Sequence, residues 1–419
     1  MAGGLGGILR WVRSVCTVAS TRQLCTGTGT EEGVAPRRRR VPDPATLGCV
    51  GLISTLAGLL GMIVVSGDRA LASHVGCGHT ITADTTLESD LVDCPNHGIV
   101  IGADGVTLDL NGHVIEGDGA PSAQCPRGEA CDIGVLSEGH DGVTIRNGWV
   151  RGFETGVLVA DSRESRIAGI SSSGNRFFGF MLAKAARTVI RDSSGDDNPI
   201  PDGDGLGVFA SRRVRVLDSA FRRNALGMHV ADSSEIVIKR NVISGSRTEG
   251  IKLEGSRNQV RGNRCARNAA CVWVERGNRN VIADNRSFRD IGGVVIVKGS
   301  ANVVTRNAVV RARINGIRLG FEEAGGTSNV VRGNVVRGSR GHAFAIASRD
   351  RRGFLGGNRA IAAGGDGFNV RSPSATLRNN RASRNADLGI QAVRGVIDGG
   401  GNGASGNADP RQCVNVTCG

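Results

Sequence analysis

The chain has 419 residues, 39% of them hydrophobic, which is enough to build a sizeable core in one elongated domain. Its 52 basic residues outnumber 39 acidic ones, yet only Lys184, Lys239, Lys252 and Lys298 are lysines and tyrosine is absent. Such a skew matches the codon bias of a GC-rich genome, so part of the +13 charge is compositional; past residue 72 the surplus is 44 − 35 = +9, which favours an acidic partner by diffuse attraction. No nucleic-acid partner is expected, because the arginines are spread through every repeat and only Trp149 and Trp273 lie past the leader to stack on bases.

Residues 1–44 form a leader without a usable pattern that ends near a basic run, Arg37, Arg38, Arg39 and Arg40. An apolar stretch at 45–66 follows, with Ala70, Leu71 and Ala72 giving an A-x-A site before Ser73. Residues 45–72 therefore read as a secretory signal, so the protein is expected to be secreted or placed in the cell envelope. The apolar run is also long enough to span a bilayer, which leaves an uncleaved anchor as the alternative and the only expected membrane contact. Residues 73–97 read as an amino-terminal cap, 98–410 as the main domain and 411–419 as a carboxy-terminal tail. Beyond the signal lie eight cysteines, and an even count in an exported chain favours disulfides: Cys77 with Cys94, Cys125 with Cys131, Cys265 with Cys271, and Cys413 with Cys418. Neither C-x-x-C nor histidines at ligand spacing accompany them, so no metal site is expected there.

In the main domain Asn241, Asn263, Asn285, Asn307, Asn334, Asn358 and Asn380 recur at spacings of 22, 22, 22, 27, 24 and 22. The register continues upstream through Ser219, Ser193, Ile170 and Gly148. Thirteen residues before most of these positions a short apolar strand opens after a small residue, as in GVLV at 156–159, GMHV at 227–230 and CVWV at 271–274. A second strand precedes each asparagine. A self-similar unit of this size is a solenoid. Several short strands per unit and no ten-residue helical periodicity predict an all-β, right-handed parallel β-helix of twelve or thirteen coils, about 22 residues each. One residue per coil then forms a column, and asparagine suits a column at a sharp corner, since it tolerates left-handed backbone and its amides can bond to copies above and below.

With these repeats the chain resembles the pectate-lyase-like superfamily, specifically the bacterial right-handed β-helix repeat proteins grouped as carbohydrate-binding and sugar-hydrolase domains, over roughly residues 76–410. The resemblance implies a substrate groove along the outer face of the first strand of each coil. It transfers no catalytic residue. Polygalacturonases carry an Asn-Thr-Asp, a paired Asp-Asp and a Gly-His-Gly, where this chain has DGDG at 202–205, RNALGMHV after it, and only Gly341 and His342 within SRGHAF.

Taking the residue after each strand-opening glycine as inward, the outward column runs Leu136, Leu158, Met181, Gly207, His229, Lys252, Trp273, Val295, Arg318 and Asn369, and the next includes Phe209, Glu254, Glu275 and Arg371. Two insertions interrupt the period, at 118–132 and at 196–205, and loops on a rigid scaffold are where function collects. The candidate site joins Asp202 and Asp204 from the second insertion to His229, Lys252, Glu254, Trp273, Glu275 and Arg318. Glu254 and Glu275, on adjacent coils about 5 Å apart, are the candidate acid and base, one with a pKa raised by like-charge repulsion. His229 or Lys252 is the alternative base of a lyase. Lys252 and Arg318 would hold a uronate carboxylate, Trp273 a sugar ring, and the loop aspartates calcium, the one cofactor in view. The expected partner is an acidic polysaccharide, bound and in some readings cleaved. The alternative is a solvated face with Glu254 pairing Lys252 or Arg318, on a non-catalytic envelope or adhesion solenoid. By contrast His79, Asp84, Asp90, Asp109 and His113 near the amino-terminal end are expected to make turns and strand ends.

Overall fold

A computed structural model of the chain describes residues 75–120, 131–198 and 203–419. The leader, the segment at 45–72, Cys125 and Asp202 lie outside the described residues. Within them the chain is all β-strand, turn and bend, wound as three short strands per coil. The first strands of successive coils form one parallel sheet of fifteen, from His79–Ile81 to Cys413–Val414. That is more than the twelve or thirteen coils expected, because the segments read as cap and tail each contribute a strand, pairing with Ile99–Ile101 and Ile390–Ala392. Second and third strands stack likewise, as Arg215–Leu217 does on Val237–Lys239 and Ala220–Arg222 on Val242–Ser244.

The asparagine column is a buried hydrogen-bonded ladder. The Asn263 backbone N–H donates to Asn285 Oδ1 at 2.9 Å, and its side-chain amide donates to the same oxygen at 2.9 Å and to the Ile238 carbonyl at 3.0 Å. This pattern repeats rung by rung from Asn241 to Asn402. Upstream, hydroxyls take over: Ile170 N–H donates to Ser193 Oγ, Ser193 N–H to Ser219 Oγ, and Ser219 N–H to Asn241 Oδ1. A second ladder runs through Asn258, Asn280, Asn302 and Asn329, and a third through Asn175, Asn198 and Asn224.

The reason for asparagine differs from the one the sequence suggested. The left-handed residue at this corner is the one before it: Arg240 (φ 59°), Asp284 (φ 59°), Arg306 (φ 52°) and Asn379 (φ 55°) precede Asn241, Asn285, Asn307 and Asn380. That residue turns the chain so sharply that the next side chain points inward. There asparagine is wanted because a single amide can pair a backbone N–H and a carbonyl that the bend takes out of the strand ladder.

Inside the coils one continuous core runs from Ile81 to Ala392. The glycine opening each first-sheet strand lies against the third ladder. A Cβ on Gly205 would come within 2.6 Å of Asn224 Nδ2 and 2.7 Å of the Gly227 carbonyl. Three rungs on from Gly205, Cys271 stands where the glycines stand, and its sulfur turns to Cys265. Cys77 with Cys94 and Cys413 with Cys418 close the two ends, with Cα separations of 5.4 and 6.2 Å. Cys131 is also disulfide-bonded; its expected partner, Cys125, is among the residues not described.

Replacing Asn285 by alanine should orphan two buried donors of Asn263 and cost roughly 3 kcal/mol, with serine milder because serine already fills this column at Ser193 and Ser219. Urea unfolding of the two variants checks this: the expected order of midpoints is wild type, N285S, N285A.

Candidate functional site

Parallel pairing sets the site. The register reads Leu158, Met181, Gly207, His229, Lys252, Trp273, Val295 and Arg318 across successive first-sheet strands, as the alternation predicted, and Ala345 fills the place before Asn369. Ala231 pairs with Glu254 and Glu275 with Val297 in the next outward column. Rungs about 4.8 Å apart thus bring together residues 22 or more positions distant in sequence.

Outward does not mean exposed. Leu136, Leu158, Met181, Ala160, Phe178 and Phe209 form a second apolar cluster on the outer side of the first sheet. It ends at His229, whose ring meets that of Phe209 edge to face at 5.3 Å. Gly207 makes this possible, since a Cβ there would lie 2.4 Å from the Phe209 ring.

Against this apolar wall sits a compact charge network. His229 Nε2 is 3.1 Å from Glu254 Oε2, and its Nδ1 is 3.7 Å from Asp204 Oδ2, an ion-pair contact rather than a hydrogen bond. Lys252 Nζ donates to Glu254 Oε1 at 3.1 Å and lies 3.9 Å from Glu275 Oε2, while Arg276 reaches Glu254 at 3.7 Å. The side chains of His229 and Glu254 are only 5% and 13% exposed. Burial alone would lower the His229 pKa, but the carboxylates of Asp204 and Glu254 outweigh it and push the imidazole up to about 9. Burial would likewise raise Glu254, but the bond to His229 and the charge of Lys252 hold its carboxyl down to about 2.

The two carboxylates expected to work as a pair are separated by a cation. Lys252 stands between Glu254 and Glu275, so like charges do not face each other unscreened, and Glu254 is an anchored carboxylate rather than an acid. Of the two partners considered for Glu254, Lys252 is right and Arg318 is not. The aspartates of the second insertion divide. Asp196 and Asp197 are tied to Arg222 and Arg223, and Asp204 reaches the cluster. Among the described residues no three metal-ligating side chains converge. Of the residues expected at turns, His79 and Asp109 accept local backbone N–H groups, while Asp84 and Asp90 accept N–H groups of the next rung, Asp90 also meets His113, and Asp109 pairs with Arg146, so several of them tie rungs together.

A second wall flanks the network on its carboxy-terminal side. Trp273 and Phe321 pack with ring centroids 5.9 Å apart, tilted by 34°. The Arg318 guanidinium lies 4.0 Å over the Phe321 ring and donates through Nε to the Gly320 carbonyl at 2.9 Å. Arg318 is half-buried, and burial holds its pKa below the usual guanidinium range. Among the described residues no carboxylate lies within ion-pair distance of it; Glu322, in the same loop, pairs with Arg371. Phe321 and Glu322 were not read from the sequence, but a signal existed: the asparagine spacing widens to 27 at this coil, and the extra residues are the loop that places both. Also missed were Arg276 and a separate pair, His342 and Asp366, with Nδ1 3.3 Å from Oδ2.

The fold and this face define a parallel β-helix carrying a charged and aromatic track on the outside of its first sheet. The family model described as "Right handed beta helix region" matches residues 85–255, 133–286 and 204–352, together well over half of the chain, and the chain belongs to that family. No curated protein matches. Solved structures similar to it include a DFA-IIIase from Arthrobacter chlorophenolicus A6 in complex with GF2, at 14% identity over 57% of this chain and 66% of that one, with a TM-score of 0.42. Others are the periplasmic alginate epimerase AlgG, at 15% identity, 81% and 75% coverage and a TM-score of 0.40, and the catalytic unit of a GH87 alpha-1,3-glucanase from Streptomyces thermodiastaticus strain HF3-3, at 14%, 68% and 62% coverage and 0.48.

The network gives a pH signature. Because the folded-state pKa of His229 is raised, its contribution is complete below about pH 6.5 and lost as pH rises through about 9; that of Glu254, whose pKa is lowered, is complete above about 4.5 and lost as pH falls towards about 2. The melting temperature of wild type relative to His229→Gln should therefore differ most between pH 4.5 and 6.5 and converge towards pH 9. A difference independent of pH over that range would contradict the charged imidazole.

Proposed function

We propose that this protein binds an acidic polysaccharide along the outer face of its first sheet, with Arg318 receiving a carboxylate and Trp273 and Phe321 offering apolar faces to sugar rings. One observation carries this reading: Arg318 is a half-buried cation, oriented by ring stacking and a backbone carbonyl, with no carboxylate among the described residues within ion-pair distance of it. A buried charge is costly until it is paired, so the position favours an anionic group from a ligand. A planar guanidinium takes a carboxylate in a two-pronged bond, which an ammonium would not do equally well. Glu275, at the rim of the charge network, is placed to accept hydrogen bonds from sugar hydroxyls. The disulfides at both ends favour an extracytoplasmic setting, where such polymers are met.

Cleavage is supported less well by the same site. In its favour is the perturbed, nearly enclosed His229 between two carboxylates, the kind of group found at catalytic centres. Against it, the proton of His229 and the charge of Glu254 are committed to each other, and Lys252 is bound to Glu254, so none of these three is a free base. The network is better suited to holding the face rigid.

Isothermal titration of the full chain with oligogalacturonate and oligoalginate, and with neutral dextran as control, tests binding. Arg318→Ala is expected to weaken uronate binding by about 10–100-fold, the value of one charge-assisted bond, and Trp273→Ala to weaken it less. Equal binding of dextran, or no effect of Arg318→Ala, would refute the assignment; formation of unsaturated or reducing ends by wild type, abolished in Glu254→Gln, would establish cleavage.

A further inference from the structure

At several left-handed corners of this coil, charges on neighbouring rungs are matched. Asp197 pairs with Arg223, Asp218 with Arg240, and Asp284 with Arg306, each a left-handed residue bonded to the equivalent one on the next rung. At the corner after the third strand the matching ends with Asp197 and Arg223. Arg267 (φ 59°), Arg289 (φ 57°) and Arg311 (φ 55°) occupy this corner on three successive rungs, each N–H bonded to the rung above. Beside them Arg264 and Arg286 are paired in register at the start of the third strand, with outward side chains.

All five arginines are exposed, and none forms an ion pair with any described residue. The carboxylates nearest in sequence to Arg286 and Arg289 are engaged elsewhere: Asp284 is paired with Arg306, and Asp290 is fully buried and bonded to Ser287 and Asn268. Further along the same column stand Arg359 and Arg381, so the basic face continues after an interruption at Ala308 and Val335. In the opposite direction it ends, because the equivalent positions are Ala220 and Val242. Arginines that look scattered in the sequence are thus concentrated by the winding. Like charges facing each other at about 4.8 Å are destabilising unless an anion sits between them.

We infer that the outer face of the third sheet, centred on Arg264, Arg267, Arg286, Arg289 and Arg311, is a second binding track for a linear polyanionic glycan, separate from the first-sheet face. The inference rests on the proposed ligand class but not on the Arg318 site. The track is a row of guanidinium groups repeating once per rung, suited to carboxylate or sulfate groups along an extended polymer. Between Arg264 and Arg311 its one exposed aromatic residue is Phe288, and a single ring gives no run of platforms for stacking successive bases, which favours a glycan over single-stranded nucleic acid.

The test uses the full chain, oligoalginate, and a single-stranded oligonucleotide of equal charge, titrated over a range of salt concentrations. The variant R264S/R267S/R286S is expected to bind oligoalginate about 10-fold more weakly at low salt and to show a shallower salt dependence, since fewer counterions are exchanged. R264K/R267K/R286K should retain most of the binding, and both should melt near wild type because the side chains point outward. R318A should weaken binding with the salt slope nearly unchanged. Loss in the serine variant with R318A unaffected supports this track while removing the first-sheet reading. Loss in R318A alone, with the serine variant like wild type, overturns the track. Tighter binding of the oligonucleotide than of oligoalginate, lost in the serine variant, overturns the glycan assignment.

Discussion

Everything in this molecule depends on how it closes a sharp bend. Each coil turns through a left-handed residue, and for an L-amino acid other than glycine that conformation costs on the order of 1 kcal/mol. The bend also removes backbone groups from the strand ladder, and buried groups of that kind must be paired. An inward asparagine on the following position meets both demands. Its oxygen accepts the N–H of the previous rung, and its amide donates to a carbonyl and to the next asparagine. Because each rung's corner is bonded to the next, a slip of one residue would break a ladder along the whole stack. The ladder therefore sets the register.

Register in turn makes function possible. On the first sheet it lines up His229, Lys252, Trp273 and Arg318, and on the third Arg264 with Arg286. Side chains held on paired strands lose little further freedom when a ligand binds, which is what a preorganised track for a stiff polymer needs. The charge network between Asp204, His229, Lys252 and Glu254 adds to this by joining three rungs across the first sheet.

Fold and face were legible in the sequence because both follow from periodicity. The asparagine spacing located the corner, and the two-residue alternation from the opening glycine gave the outward column correctly from Leu136 to Asn369. Energetics were not legible. Nothing in spacing indicates that Lys252 swings between Glu254 and Glu275, that Glu254 is held ionised, or that Arg318 stacks on Phe321 in a loop from its own coil. The shared corner of Arg267, Arg289 and Arg311 follows the same 22-residue period, but spacing alone does not show that no described carboxylate pairs with them. Long side chains choose partners by rotamer, and only three-dimensional placement settles that. The exception is the loop at 320–327, whose presence the 27-residue spacing records even though its contacts do not follow from it.

The most direct measurement is a crystal structure of the full chain with a bound uronic-acid oligosaccharide. The account predicts a sugar carboxylate on the Arg318 guanidinium and a pyranose ring against Trp273 and Phe321. An oligosaccharide seated elsewhere, with Arg318 swung onto a protein carboxylate, would contradict it.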